Sequence, residues 1–154
     1  MSPVDLAQIR AVAAMVGFPD PDLAAAVAMA ESSGDPCANG DPKNPSDCGQ
    51  TFNSTSFGLW QIHVPDHPQY DPQLLKTPAY NAQAAFAISD HGRNWTPWST
   101  FNTGKYLKFY TPATPSAASA RSTLGGVLLG AALASVTGIA VTEAWEHWKP
   151  RRRA

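Results

Sequence analysis

Glu31 has the residue type and the surroundings that acid catalysis requires. It is the only glutamate among the first 142 residues, which contain nine aspartates. It ends the stretch "AVAMAE", in which every preceding residue is apolar. An apolar environment and the negative end of a helix both disfavour the charged carboxylate, so the acid could keep a proton and donate it to a substrate. The alternative is a solvent-exposed glutamate beside a helix end.

A second group of chemically capable residues lies in "HVPDH", where His63 and His67 flank Asp66. Two histidines four residues apart bind zinc when a helix places them on one face. Pro65 is incompatible with such a helix, and no glutamate lies between the histidines. We therefore predict neither a metal nor another cofactor.

Helices that could position Glu31 are predicted from Pro3 to Val16, from Pro21 towards Gly34 and from Pro78 towards Gly92. Each begins with a capping residue followed by proline, and each stops at or just before a glycine. The second helix is apolar nearly all round, which is typical of a helix at the centre of a domain. Residues 35–57 are rich in Gly, Pro, Asn, Asp and Ser and are predicted to form loops or short hairpin strands.

Cys37 and Cys48 are the only cysteines, and they enclose the polar loop "ANGDPKNPSD". A disulfide between them would remove about 3 kcal/mol of conformational freedom from the unfolded chain. Such a bond would indicate an oxidising final location. Two free thiols are the alternative, because two cysteines do not make a disulfide framework.

The C-terminal part of the chain differs in composition from the rest. Residues 111–121 have the Pro, Ala, Ser and Thr content of a linker, and residues 122–142 contain neither a charge nor a proline. This second stretch roughly matches the ~30 Å hydrocarbon thickness of a bilayer, so a transmembrane helix in contact with lipid is predicted. A buried helix of a soluble core is the alternative. Gly126 and Gly130 would permit self-association of the span, and residues 143–154 form a basic tail.

Four motifs occur in the order "AMAESSG", "STSFGLWQI", "YNAQAAFAI" and "FNTGKY". Together they resemble the lytic transglycosylase domain of the soluble lytic transglycosylase and goose-type lysozyme group. The resemblance covers residues 20–110. It implies a mainly α, lysozyme-like α+β fold for residues 1–110, to which the sequence adds one C-terminal transmembrane helix. It also implies cleavage of the β-1,4 bond between N-acetylmuramic acid and N-acetylglucosamine in peptidoglycan.

The resemblance assigns roles to individual residues. Glu31 would be the general acid and, in a transglycosylase, also the base. Ser32 would support the sugar or orient Glu31, and Gln61 would line the cleft beside the glycan. Asn102 would help to hold the far side of the cleft, and Tyr106 would be a hydrogen-bond partner of Glu31.

Tryptophans are the natural side chains for stacking on sugar rings, because an indole offers a large, stiff apolar face. Trp60, Trp95 and Trp98 are candidates, and Trp60 stands where the related domains commonly have Met. The alternative is that they belong to the hydrophobic core. We predict substrate contacts for Trp60 and Trp98.

The type of product depends on whether a second catalytic group exists. Five aspartates are available, and each lies among turn or cap signals. They are Asp35, Asp47, Asp66, Asp71 and Asp90. No second acid stands out, which favours a single-acid mechanism in which, by resemblance, the 6-hydroxyl of the sugar closes onto the anomeric carbon and gives a 1,6-anhydro product. A hydrolytic lysozyme with a second Asp, and a catalytically silent glycan-binding or structural membrane protein, are the alternatives.

Charge and topology indicate where the protein works. Residues 1–121 carry a net charge of −3 and residues 143–154 a net charge of +2, so no basic surface suggests nucleic acid. A basic tail after the span favours export of the N-terminal domain, yet the chain opens without the pattern of a signal peptide. We therefore predict a phage version of this domain, carried in a virion membrane or assembly. A bacterial cell membrane, with the domain facing the wall, is the alternative.

Overall fold

The computed structural model describes residues 2–41, 43–49 and 54–112. Within them the chain forms four α-helices, two short 3-10 helices and one antiparallel two-stranded sheet. In chain order the elements are α1 (Leu6–Val16), α2 (Pro21–Ser32), β1 (Ser56–Phe57), β2 (Ile62–His63), a 3-10 helix (Leu74–Lys76), α3 (Pro78–Ile88), α4 (Ser99–Asn102) and a second 3-10 helix (Lys105–Lys108). A mainly helical chain with a small sheet is consistent with a lysozyme-like fold.

The predicted fold class needs a correction at its C-terminal part, because it included a transmembrane helix over residues 122–142. In the described part of the chain no helix is both long enough and apolar enough to cross a membrane. The stretch 122–142 itself, with Gly126 and Gly130, lies outside the described residues, as does the tail 143–154. The fold class is therefore a mainly helical domain with one small sheet.

Helix α1 begins three residues later than the sequence pattern predicted. Asp5 is its N-cap: the carboxylate accepts a hydrogen bond from the Gln8 amide at 2.8 Å, and the Gln8 side chain accepts one from the Asp5 amide at 3.0 Å. Val4 lies outside the helix, where its amide donates to the carbonyl of Gly34 at 2.7 Å. The local capping box of Asp5 and Gln8 therefore marks the start of this helix.

Helix α2 is the buried centre of the fold, as its apolar sequence predicted. Asp20 accepts a hydrogen bond from the Leu23 amide at 2.9 Å, and the five consecutive residues 24–28 are buried. The helix ends at Ser32, after which Ser33 and Gly34 adopt left-handed φ values of 55° and 81°. A Cβ at Gly34 would collide with the Val4 carbonyl oxygen, so glycine is required where the chain leaves the helix.

A disulfide closes the loop that follows α2. Cys37 and Cys48 are joined with their Cα atoms 4.9 Å apart, and Cys37 is buried. Just after Cys48, the carbonyl of Gly49 accepts a hydrogen bond from the ammonium group of Lys76, a buried residue. A segment with few apolar side chains is thus stabilised by a covalent bond and polar contacts.

The β1–β2 hairpin is fastened to α3 by one buried asparagine. Asn81 accepts a hydrogen bond from the Trp60 amide at 2.7 Å and donates one to the Phe57 carbonyl at 3.0 Å. The turn between the strands needs Gly58, whose φ is +80°, because a Cβ there would collide with the Asn81 side chain and the Leu75 carbonyl. Asn81 therefore sets the position of the whole hairpin.

Aromatic rings fill the core between the hairpin and the helices. Phe18 stacks on Trp60 and Trp95 with ring centroids 6.1 and 5.6 Å apart, and meets the edge of Phe86 at 5.0 Å. The indole N–H of Trp60 donates to the Ala24 carbonyl at 3.0 Å, which links the hairpin to α2. These contacts join the hairpin to the first half of α2.

Candidate active site

A cleft of about 320 Å³ opens beside the C-terminal end of α2. Its lining combines the end of that helix, the β1–β2 hairpin with the turn after it, the end of α3 and the segment that starts α4. The lining residues are Glu31, Gly40, Ser56, Gln61, Ile62, His63, Asp66, His67, Ile88, Pro97, Trp98 and Ser99. The cleft is thus assembled from separate parts of the chain.

Glu31 is the penultimate residue of α2, partly buried, and it lines the cleft. The hydroxyl of Thr100 donates a hydrogen bond of 2.6 Å to Glu31 Oε1. Thr100 lies in α4 and is itself only 8% exposed, so the bond is shielded from bulk water. One carboxyl oxygen is therefore held in place, which fixes the orientation of the acid towards the cleft.

Thr100 was not identified from the sequence. In the sequence "WSTFN", Thr100 looks like an ordinary threonine at the start of a helix, where Ser and Thr are common. It lies 69 residues from Glu31 along the chain, and only the packing of α4 on the end of α2 brings the two together. Its role is visible only in three dimensions.

The Ser32 side chain hydrogen-bonds the backbone of its own helix end. Its hydroxyl donates to the Ala28 carbonyl at 2.9 Å and accepts from the Gly34 amide at 3.2 Å. Both bonds satisfy backbone groups at the helix end, where helical partners run out. Ser32 therefore shapes the turn beside Glu31, and it is not among the residues that line the cleft.

Gln61 lines the cleft, and its side chain is fixed by two hydrogen bonds to backbone carbonyls. It has a left-handed φ of 47°, and its side-chain amide nitrogen donates to the carbonyls of Ala38 and Gly58 at 3.0 and 2.8 Å. Because both amide hydrogens are used, the group left for a ligand is the Oε1 acceptor. Gln61 can thus receive a hydrogen bond from a sugar hydroxyl or amide.

The two tryptophans predicted to contact substrate belong to the core. Trp60 is 0% exposed, so the prediction that it stacks on a sugar is wrong: no face of its ring reaches the cleft. Trp98 borders the cleft but is only 5% exposed, and its indole N–H donates to the Trp60 carbonyl at 2.7 Å. It forms a wall of the site and offers no open ring face. Trp95, the third candidate, is buried as well.

Asn102 and Tyr106 lie away from the cleft lining. Asn102 is exposed and donates to the Thr96 carbonyl at 2.9 Å, while Tyr106 stacks on Phe101 with centroids 4.9 Å apart. Tyr106 was expected to hydrogen-bond Glu31. Among the described residues, the side chain that does so is that of Thr100. Asn102 and Tyr106 stabilise the segment behind the site.

The histidines and aspartate of "HVPDH" do line the cleft. His63 Nδ1 lies 2.8 Å from Asp66 Oδ2. Within the described ranges, no group of three or more His, Cys, Asp or Glu side chains is arranged to hold a metal ion. His63 and Asp66 thus form a hydrogen-bonded pair on the same cleft as Glu31.

Among the five aspartates considered as second acids, Asp66 is the one that lines the cleft. Asp35 and Asp71 accept hydrogen bonds from backbone amides in turns. Asp90 is paired with Arg93 on the surface, and that hydrogen bond lowers the pKa of the Asp90 carboxyl. The site thus holds one glutamate and one aspartate that is bonded to histidine.

The site is thus a glutamate held near the end of the central helix of a mainly helical domain, beside an open cleft. The lysozyme-like domain family matches residues 10–100, more than half of the chain, and the chain belongs to this family. Membership implies peptidoglycan as the substrate and an activity of the glycosidase or lytic transglycosylase kind. Comparisons with curated proteins and with solved structures gave no match.

Proposed function

We propose that this domain cleaves the β-1,4 bond between N-acetylmuramic acid and N-acetylglucosamine in peptidoglycan, with Glu31 as the general acid. The observation that carries the proposal is the position of Glu31 on the cleft, with Oε1 held by Thr100 at 2.6 Å. A general acid must be oriented before it meets the leaving oxygen, and this hydrogen bond supplies that orientation.

Each residue that lines the cleft has its own role in the proposed reaction. Glu31 protonates the oxygen that leaves the anomeric carbon, and Gln61 accepts a hydrogen bond from the bound glycan through Oε1. Trp98 and Ile88 supply apolar wall, which reduces the access of water around the acid and strengthens its interaction with the substrate. Thr100 positions Glu31 from the protein side, and Ser32 shapes the turn that follows it.

Replacement of the acid tests this proposal. Glu31→Gln keeps the size of the side chain and removes the proton that it donates, so the rate of glycan cleavage should fall by about 10²- to 10⁴-fold. The measurement is release of soluble muropeptides from purified peptidoglycan. Asp90→Asn is the matched control, because Asp90 is an exposed carboxylate that does not line the cleft.

The outcomes separate an enzyme from a binding protein. If Glu31→Gln clears peptidoglycan as fast as the unsubstituted chain, Glu31 is not the acid. If the unsubstituted chain binds insoluble peptidoglycan without releasing fragments, the domain is a catalytically silent glycan-binding protein.

We further propose that the domain works outside the reducing cytoplasm, on exposed cell wall. Support comes from the Cys37–Cys48 disulfide, since such bonds persist in oxidising surroundings. Local wall opening during phage entry or release remains a prediction, which mass spectrometry of purified virions can test.

A further inference from the structure

Resting on the proposed function, we propose that His63, oriented by Asp66, is a general base that activates a water molecule, so that the domain hydrolyses the glycosidic bond. A single-acid reaction needs no such group. The structure places a second proton-accepting pair on the cleft that Glu31 lines, on a different element of the fold.

The pairing determines which nitrogen of His63 can act. Asp66 Oδ2 lies 2.8 Å from His63 Nδ1, so that Nδ1 carries the hydrogen donated to the carboxylate. In that tautomer Nε2 is unprotonated and can accept a proton, while the carboxylate stabilises the imidazolium that forms. Asp66 is thus a positioning residue, and His63 is the group that meets the water.

Strand β2 explains why this histidine is accessible. Ile62 is buried and His63 is exposed, as expected for neighbours on a strand, whose side chains point to opposite faces. The side chains of His63 and Asp66 remain 44% and 73% exposed, so water reaches both. Asn81 accepts a hydrogen bond from the Trp60 amide and donates one to the Phe57 carbonyl, which holds the hairpin, and with it His63, against α3.

The proposed reaction balances with one water. Glu31 gives its proton to O4 of the N-acetylglucosamine, the bond from that oxygen to C1 of the N-acetylmuramic acid breaks, and the water oxygen bonds to C1. His63 Nε2 takes one proton from the water. That proton returns to Glu31 through solvent, so both residues recover their starting states and the product carries a reducing end.

The chain provides its own control in a second histidine–aspartate pair. His91 Nδ1 lies 3.6 Å from Asp90 Oδ1, and neither residue lines the cleft. Both side chains are 61% exposed. A substitution at His91 therefore removes a comparable surface histidine without touching the site.

The experiment compares His63→Asn, Asp66→Asn and His91→Asn in the full chain. Asparagine places an amide nitrogen near the position of Nδ1, which preserves a donor to Asp66 and removes Nε2. Muropeptides from purified peptidoglycan are separated by mass, because a 1,6-anhydro end lacks one water relative to a reducing end. Circular dichroism and thermal unfolding confirm that each variant is folded.

The unsubstituted chain should release reducing ends. His63→Asn should slow their formation on the order of 100-fold and raise the share of anhydro ends, and Asp66→Asn should do the same on the order of 10-fold. His91→Asn should change neither rate nor product. The shift in product ratio is the readout that a merely structural role would not produce.

Two results would overturn the inference while leaving the proposed function intact. One is exclusive formation of anhydro ends by the unsubstituted chain; the other is a His63→Asn variant that matches His91→Asn in rate and product ratio. An Asp66→Asn variant identical to the unsubstituted chain would remove Asp66 from the proposal. Absence of cleavage by the unsubstituted chain would overturn both proposals.

Discussion

Two walls of the cleft are held in different ways. The helical wall, formed by Glu31 at the end of α2, belongs to the most buried helix of the fold, and a single hydroxyl from Thr100 completes it. The hairpin wall, formed by Gln61 and His63, has only two short strands and depends on contacts from elsewhere in the chain. Glu31 therefore lies on a twelve-residue helix with a buried core face, whereas the position of the hairpin wall depends on its hydrogen bonds with Asn81.

The largest expected effect is loss of the buried anchor of the hairpin wall. Asn81→Ala leaves the Trp60 amide and the Phe57 carbonyl without their Asn81 partners in the core and opens a cavity. It should lower the free energy of unfolding by about 4 kcal/mol. Chemical denaturation followed by tryptophan fluorescence measures the change.

Gln83→Ala is the matched control for Asn81, because Gln83 is an exposed amide on the same helix. It should change the free energy of unfolding by less than about 0.5 kcal/mol. If the two variants are equally stable, the hairpin wall does not depend on Asn81, and the contrast between the walls is wrong.

The disulfide should have the next largest effect, and on the same wall. The double substitution Cys37→Ala and Cys48→Ala should lower the free energy of unfolding by about 3 kcal/mol, because the loop regains its freedom in the unfolded chain. The loop contains Ala38, whose carbonyl holds the side chain of Gln61, so activity should fall as well.

Reductant provides an independent check on this prediction. The unsubstituted chain should lose similar stability in reducing buffer, whereas the double variant should be insensitive to it. Equal melting temperatures of the unsubstituted chain with and without reductant, with the thiols shown to be free, would contradict a stabilising bond.

The smallest effect is expected on the helical wall. Thr100→Val preserves the shape of the side chain but removes the hydroxyl that holds Glu31 Oε1, and should slow glycan cleavage about tenfold, equivalent to about 1.4 kcal/mol. Steady-state release of muropeptides measures the change. Thr103→Val, at an exposed position outside the cleft, should leave the rate unaltered.

An unchanged melting temperature is part of the Thr100 prediction, because α2 is buried with or without that hydrogen bond. A Thr100→Val variant that unfolds at much lower temperature would show that the helical wall also depends on its partner. The distinction between the two walls would then disappear.

Local signals in the sequence were enough to predict three helices and the place of Glu31 near the end of the second one. Asp20 and Pro21 start α2 where the pattern indicates, and the apolar run that follows is buried. The start of α1 was predicted at Pro3, whereas the capping box of Asp5 and Gln8, a second local signal, is the one that forms. Val4 lies outside the helix and donates to the carbonyl of Gly34 instead, a contact that local capping rules do not contain.

Burial of individual aromatic and polar side chains was harder to predict. An indole is equally suited to a core and to a sugar platform, and only the packing of Phe18 between Trp60 and Trp95 shows which applies. The segment "HVPDH" forms the end of strand β2 and the turn after it. Its place on the cleft could not be inferred, because the hairpin is positioned by Asn81.

Neighbouring residues were enough to indicate that one glutamate lies in the last turn of a buried helix and that the chain resembles peptidoglycan-cleaving domains, because capping, periodicity and motif order are local properties. Tertiary structure alone decided that Thr100 holds that glutamate, that Trp60 is core, and that His63 and Asp66 share its cleft. The physical reason is distance along the chain: a hydrogen bond across 69 residues exists only after the helices and the hairpin have packed.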